Sequence, residues 1–110
     1  MAGMNPVEVD IEQLEKARAE GTPLVDVREV DEYVGGHVPG AILLPMSEIV
    51  ERVDEVPAGG PVYVICQLGG RSLKVVEWLR QQDVDAYSVA GGTKAWADSD
   101  REIVTGDAAG

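Results

Sequence analysis

The stretch Val62-Tyr-Val-Ile-Cys-Gln-Leu-Gly-Gly-Arg-Ser72 decides how this chain is read. Val62 to Ile65 is an uninterrupted apolar run, too short for a helix, and it predicts a fully buried strand. Cys66 follows, the only cysteine in the sequence. Gly69 and Gly70 then break the strand and permit a tight loop with unusual dihedrals. Arg71 and Ser72 open the next segment, Leu73 to Gln82. There Leu73, Val76 and Leu79 recur at helical spacing, with Val75 and Trp78 widening the stripe. One thiol therefore stands where a buried strand passes through a glycine loop into a helix N-terminus. That junction aims backbone N–H groups and the positive end of a helix dipole at the sulfur. Such a place lowers a thiol's pKa and favours the thiolate, the nucleophilic form.

The flanking sequence builds a sheet around this strand. Pro23-Leu-Val-Asp-Val-Arg28 predicts a second strand, ended by the charges of Asp26 and Arg28. Ala41 to Leu44 predicts a third, stopped by Pro45, and Val84 to Val89 the last. Val7 and Val9, alternating with Glu8, predict a short edge strand after a loose end from Met1 to Pro6. Helices are expected between them. Asp10 with Gln13 forms a reciprocal cap before Ile11, Leu14 and Ala17 or Arg18, with Gly21 as the stop. Glu29 to Val34 predicts a short helix closed by Gly35 and Gly36, and His37-Val-Pro-Gly40 a turn. Ser47 is expected to cap a helix to about Val53, with Ile49, Val50 and Val53 facing inward. Pro57 to Pro61 reads as a loop. After the second glycine pair, Gly91-Gly92, Thr93 to Ser99 predicts a last helix holding Trp96, and Thr105 to Gly110 a disordered tail.

Strands alternating with helices in this way indicate an α/β fold with a doubly wound parallel sheet. No repeat and no linker divides the 110 residues, so one domain is expected, with an ordered core from about 7 to 104. In such sheets ligands bind beyond the carboxyl ends of the strands. Cys66, Asp26 to Arg28 and Gly91-Gly92 all lie at those ends, so three separate stretches converge on one edge.

Composition narrows the function. The formal net charge is −11, with 20 acidic residues against 9 Lys and Arg. No basic stripe exists to neutralise phosphates, which argues against nucleic acid and against anionic membranes. A single cysteine excludes an internal disulfide and a resolving thiol, and one cysteine with one histidine makes a structural zinc site untenable. Met1 to Asp10 lacks the features of a signal peptide, and the apolar runs are too short to span a bilayer, so a cytoplasmic, reducing compartment is expected.

Four motifs in order resemble the rhodanese family of single-domain sulfurtransferases. Asp26-Val-Arg28 with Glu32-Tyr33 resembles its first signature. Gly36-His-Val-Pro-Gly-Ala41, running to Pro45, resembles the second. Cys66-Gln-Leu-Gly-Gly-Arg-Ser72 resembles the active-site loop, and Gly91-Gly92 with Trp96 the closing signature. The resemblance spans about Val7 to Val104. It implies a five-stranded parallel sheet with helices on both faces. It also implies covalent catalysis in two steps. Cys66 would attack the outer sulfur of a donor such as thiosulfate and become a persulfide. A thiol, cyanide or a partner protein would then remove that sulfur. No cofactor and no metal is implied. From Cys66 to Arg71 is six residues, the form associated in the family with sulfur transfer; relatives with a loop one residue longer are phosphatases or arsenate reductases. The amides of Gln67, Leu68, Gly69, Gly70, Arg71 and Ser72 would line the persulfide site. Asp100 and Glu102 depart from the family's usual glycine and proline, which bears on the C-terminal turn and not on the chemistry.

Each residue also has a plainer reading. Asp26 and Arg28 read as architecture: a carboxylate capping loop amides, and a guanidinium paired with an acid such as Glu32. Arg71 either clamps the loop or meets substrate. His37 could serve as a general base, but a thiolate held by amides needs none, so it is expected to fix its turn. Gly91-Gly92 is expected to let backbone pass close to the cysteine loop, Trp78 and Trp96 to be core, and Lys74 to be a solvated helix residue near an incoming anion. Besides a thiosulfate sulfurtransferase, two readings remain open. One is a persulfide carrier serving a protein donor or acceptor, favoured by the acidity that repels small dianions. The other is a non-catalytic rhodanese-like binding module.

Overall fold

A computed structural model describes residues 6–110; of the expected loose end, Met1 to Asn5 lies outside the described residues. The chain runs β1 (Glu8–Val9), α1 (Ile11–Ala19), β2 (Leu24–Asp26), α2 (Val30–Gly35) and β3 (Ile42–Leu43). It continues through β4 (Val62–Ile65), α3 (Gly70–Gln81), β5 (Ala86–Val89) and α4 (Gly92–Asp98). The five strands form one parallel sheet in the order β1-β5-β4-β2-β3. The run from Val62 thus occupies the centre, with β5 on one side and β2 on the other.

Two cores follow from the strand period of two. Val62, Val64 and Cys66 point to the face covered by Val75, Val76 and Leu79 of α3, together with Ile49 and Val56. Ile65 and Val89 point to the opposite face, against Leu14 of α1, Tyr33 of α2 and Trp96 of α4. Helices therefore cover both faces, and β4 is apolar throughout because both its faces are buried. Trp96 is buried, and its indole N–H donates to Glu102 O at 2.8 Å; Trp78 is half-buried. The expected cap of α1 is present: Gln13 N–H donates to Asp10 Oδ1 and Asp10 N–H to Gln13 Oε1, each at 2.8 Å.

Three segments differ from expectation. The helix expected from Ser47 is instead a series of turns ending in a 3-10 turn at Val53–Glu55. The Ser47 hydroxyl donates to the Glu29 carboxylate at 3.1 Å, so it caps nothing, and β-branched Ile49, Val50 and Val53 do not favour a short helix without a cap. Helix α3 begins at Gly70, three residues before the expected Leu73, because Leu73 N–H already donates to Gly69 O at 3.2 Å. The tail beyond Thr105 is held rather than disordered. Gly106 N–H donates to Val34 O at 2.9 Å and Gly40 N–H to Ala109 O at 2.7 Å, and His37 Nε2 lies 2.9 Å from Ala108 O. The turn after α2 leaves polar groups that this tail satisfies.

Candidate functional site

The site begins with the last residue of the central strand's run. Cys66 is fully buried. Gly69 and Ser72 donate their backbone N–H groups to its Sγ at 3.1 and 3.3 Å, and the Ser72 hydroxyl lies 3.3 Å away. Gly69 is the N-cap of α3 and Ser72 its third helical residue, so these are amides that a helix cannot satisfy internally. The sulfur thus takes the place of a capping oxygen. Burial pushes the Cys66 thiol up. The Ser72 hydroxyl and amide, with the amides of Gly69 and Leu68, outweigh burial and bring the pKa below its ordinary value.

A second element turns the loop's peptide planes this way. Thr93 N–H and Oγ1 donate to Cys66 O at 2.9 and 3.0 Å, and Lys94 N–H donates to Gln67 O at 3.1 Å. With the carbonyls drawn toward α4, the amides of the loop are left for the sulfur. This approach requires glycine at 92, where φ is +61° and a Cβ would stand 2.5 Å from Cys66 O and Gln67 O. Gly92 therefore lets backbone pass close to the cysteine loop, whereas a Cβ at Gly91 would meet Ala95 of its own helix.

The Asp26–Arg28 pair supports the loop from the other side. Both residues are buried, and Asp26 accepts from the Arg28 backbone N–H at 3.0 Å and from its Nη2 at 2.9 Å. Arg28 also donates to Gly36 O at 2.8 Å and to Gln67 Oε1 at 3.1 Å. The expected partner of Arg28 was Glu32, and that pairing is corrected: Arg28 spends its fork on Asp26, two residues away at the end of β2. Glu32 instead meets Arg71, in two parallel bonds of 2.8 Å that tie α2 to the start of α3. Hydrogen bonds from Arg71 hold the Glu32 carboxyl down at about 2. Arg71 thus clamps the loop, while its charge is matched by a carboxylate.

Leu68, 65% exposed, stands at the loop tip, and Gln67 reaches a cleft of about 550 Å³ shared with Arg28, Glu32, Thr93 and Lys94. A further hollow, lined by Gly21 to Pro23 and Pro57 to Pro61, lies at the opposite edge, before the strands begin. Lys74 is exposed on α3. His37 is buried, stacked on Tyr33 at 3.6 Å, with Nδ1 2.8 Å from Tyr33 O, so it fixes the turn before β3. Among the described residues no cluster of histidine, cysteine and carboxylates could hold a metal ion, and no helix is long and apolar enough to cross a membrane.

Two contributors escaped the sequence reading. Thr93 binds the Cys66 carbonyl, and its signal was its place directly after Gly92. Ser88 Oγ lies 2.8 Å from Ser72 Oγ, and its signal was its position on β5, two residues from buried Ala86 and so on the same face.

Comparison with known proteins agrees with this architecture. The chain is 39% identical over 74 residues to the uncharacterized protein YqhL of Bacillus subtilis, covering 66% of this chain. It is 31% identical over 78 residues, 70% of this chain, to the putative sulfur carrier protein YrkF of the same organism. It spans 59% and 42% of those two proteins' lengths. It is 37% identical over 93 residues to a sulfurtransferase of Allochromatium vinosum, covering 82% of this chain and 87% of that protein. A crystal structure of a rhodanese-related protein from Thermoplasma volcanium superposes with a TM-score of 0.83 at 28% identity, covering 88% of this chain and 96% of that one. Residues 10–99 match the family model of the rhodanese-like domain, and the chain belongs to that family.

Proposed function

We propose that this protein is a sulfurtransferase that carries sulfane sulfur on Cys66. The observation that carries this reading is the sulfur's place as the cap of α3, held by the Gly69 and Ser72 amides and the Ser72 hydroxyl. An anionic sulfur is favoured there without a general base. The thiolate attacks the outer sulfur of a donor such as thiosulfate. A new S–S bond forms, the donor's S–S bond breaks, and sulfite leaves with the electron pair. The loop amides then face a persulfide. An acceptor thiolate or cyanide attacks its outer sulfur, and the Cys66 thiolate is released. Gln67, Leu68, Gly69, Gly70, Arg71 and Ser72 shape the persulfide site. Asp26, Arg28, Gly91 and Gly92 hold it in place.

A second reading assigns the donor or acceptor role to a protein. The charges around the sulfur favour it. Arg71 is matched by Glu32, Arg28 by Asp26 and Lys94 by Asp98, in a chain of net charge −11. A small dianion gains little from cations that are already paired. The similarity to a putative sulfur carrier supports the same reading.

The test is to load the reduced protein with thiosulfate, remove the excess and weigh it intact. One added sulfur, removed by cyanide and absent in Cys66→Ser, is expected. No added sulfur from thiosulfate, with loading by a protein persulfide, would select the carrier. Loading retained in Cys66→Ser would overturn the assignment.

A further inference from the structure

We propose that Ser88 is a positioning residue that favours the thiolate of Cys66 by fixing the direction of the Ser72 hydroxyl. The inference rests on the reading of Cys66 as the nucleophile. Ser72 and Ser88 are both fully buried, so their hydroxyls have no water to turn to. The Ser72 oxygen has three neighbours: Cys66 Sγ at 3.3 Å, Gly69 O at 3.2 Å and Ser88 Oγ at 2.8 Å. It has one proton to give.

The two states of the sulfur use that proton differently. In the thiol, Sγ–H donates to Ser72 Oγ, and the Ser72 proton goes to Gly69 O, which can only accept. In the thiolate, Sγ can only accept, so the Ser72 proton must turn to it. Ser72 Oγ then has lost a donor. Ser88 supplies one in both states, and its hydroxyl is the shortest contact of the three. It keeps the Ser72 proton from pointing backward along β5 and, as a donor to a donor, strengthens the bond to sulfur. Removing Ser88 leaves Ser72 Oγ still accepting from the thiol but from nothing in the thiolate. The loss therefore falls on the charged form, and the thiol pKa rises. The charged groups around the sulfur stand on other residues and are untouched by a Ser88 substitution. Among the described residues they include Asp26 and Arg28 at the end of β2, Asp31 and Glu32 on α2, Arg71 on α3, and Lys94 and Asp98 on α4.

The experiment is the pH dependence of Cys66 alkylation by iodoacetamide, in the parent, Ser88→Ala, Ser72→Ala and the double variant. Ser88→Ala is expected to raise the midpoint by about half to one pH unit, a fall of roughly 3- to 10-fold in thiolate population below the midpoint. In the Ser72→Ala background it should add nothing, because Ser88 acts through Ser72. Should Ser88→Ala fail to fold, Ser88→Thr and Ser88→Val give the same comparison in equal volume, with the lower midpoint expected for Ser88→Thr. An unchanged midpoint in folded Ser88→Ala, equal midpoints for the Thr and Val variants, or an undiminished shift in the Ser72→Ala background would each overturn the proposal. Alkylation needs no sulfur donor, so a protein that titrates as expected but never takes up sulfur would refute the sulfurtransferase reading alone.

Discussion

Gly92→Ala places a methyl group where two backbone carbonyls already stand. The added carbon would lie 2.5 Å from Cys66 O and from Gln67 O, and ordinary contact begins at 3.4 Å, so the loop must retreat by about 0.9 Å. The backbone at 92 has φ +61°, which adds about 1–2 kcal/mol for a residue with a side chain. Neither carbonyl is the flexible end of a side chain, so overpacking adds about 1–3 kcal/mol more. The sum is a loss of about 2–5 kcal/mol in a fold whose total stability is about 5–15 kcal/mol. Function should suffer further. A displacement near 1 Å strains the Thr93 bonds to Cys66 O and disturbs the amides at the sulfur, and misplacement on that scale costs about a hundredfold in rate. Gly70→Ala is the internal control. No atom lies within 4 Å of its added carbon and its φ is not in the left-handed region, so the change is neutral or stabilising by up to about 1 kcal/mol. Urea unfolding gives the stabilities, and thiosulfate loading followed by intact mass gives the rates. Equal harm from both substitutions, or a Gly92→Ala variant that unfolds and loads like the parent, would refute the argument that α4 and the cysteine loop are spaced by the missing side chain.

Other predictions follow from the charge pairs. Asp26→Asn leaves the buried Arg28 guanidinium without its counter-charge and should cost about 3–5 kcal/mol in urea unfolding. The Glu32 carboxyl is held at about 2 against an ordinary 4.5, so the stability it contributes is complete above pH 4.5 and is lost as pH falls toward 2. Glu32→Gln should therefore remove part of the acid dependence of unfolding between about pH 5 and about pH 2. The effect is about 1 kcal/mol or less, because the pair is partly exposed and screened. Raising ionic strength should speed thiosulfate loading by screening the net charge of −11, and a rate that falls with salt would mean that the local field of the loop dominates instead.

The parallel sheet and the convergence on one edge were legible because β4 is an unbroken apolar run and strands alternate with helices along the chain, each strand handing over to a loop of charged residues or glycines; the order of the strands was not. The cap of α1 was legible because Asp10 and Gln13 sit at fixed spacing. The pairing of Arg28 was not. Asp26 and Glu32 are both acids within reach of a long side chain, and only the end of β2, where Asp26 turns back toward its own loop, decides between them. Once Arg28 is taken, Glu32 is free for Arg71, a contact 39 residues distant that no local pattern announces. The Ser47 segment misled because a good capping residue was present but engaged by Glu29, a tertiary contact overriding local propensity. Ser88 was hidden in a strand where a small polar residue looks like an ordinary filler.

The backbone N–H groups of Gly69 and Ser72 point at sulfur rather than at oxygen. Their proton resonances are therefore reporters of the sulfur's electronic state. A thiol, a thiolate and a persulfide would draw on those two protons differently, whereas the next amide of α3, that of Leu73, already donates to the backbone oxygen of Gly69. An isotope-labelled sample could thus be followed through a turnover without a dye, a chromogenic donor or a second cysteine. The fold would signal its cargo through two peaks of one spectrum.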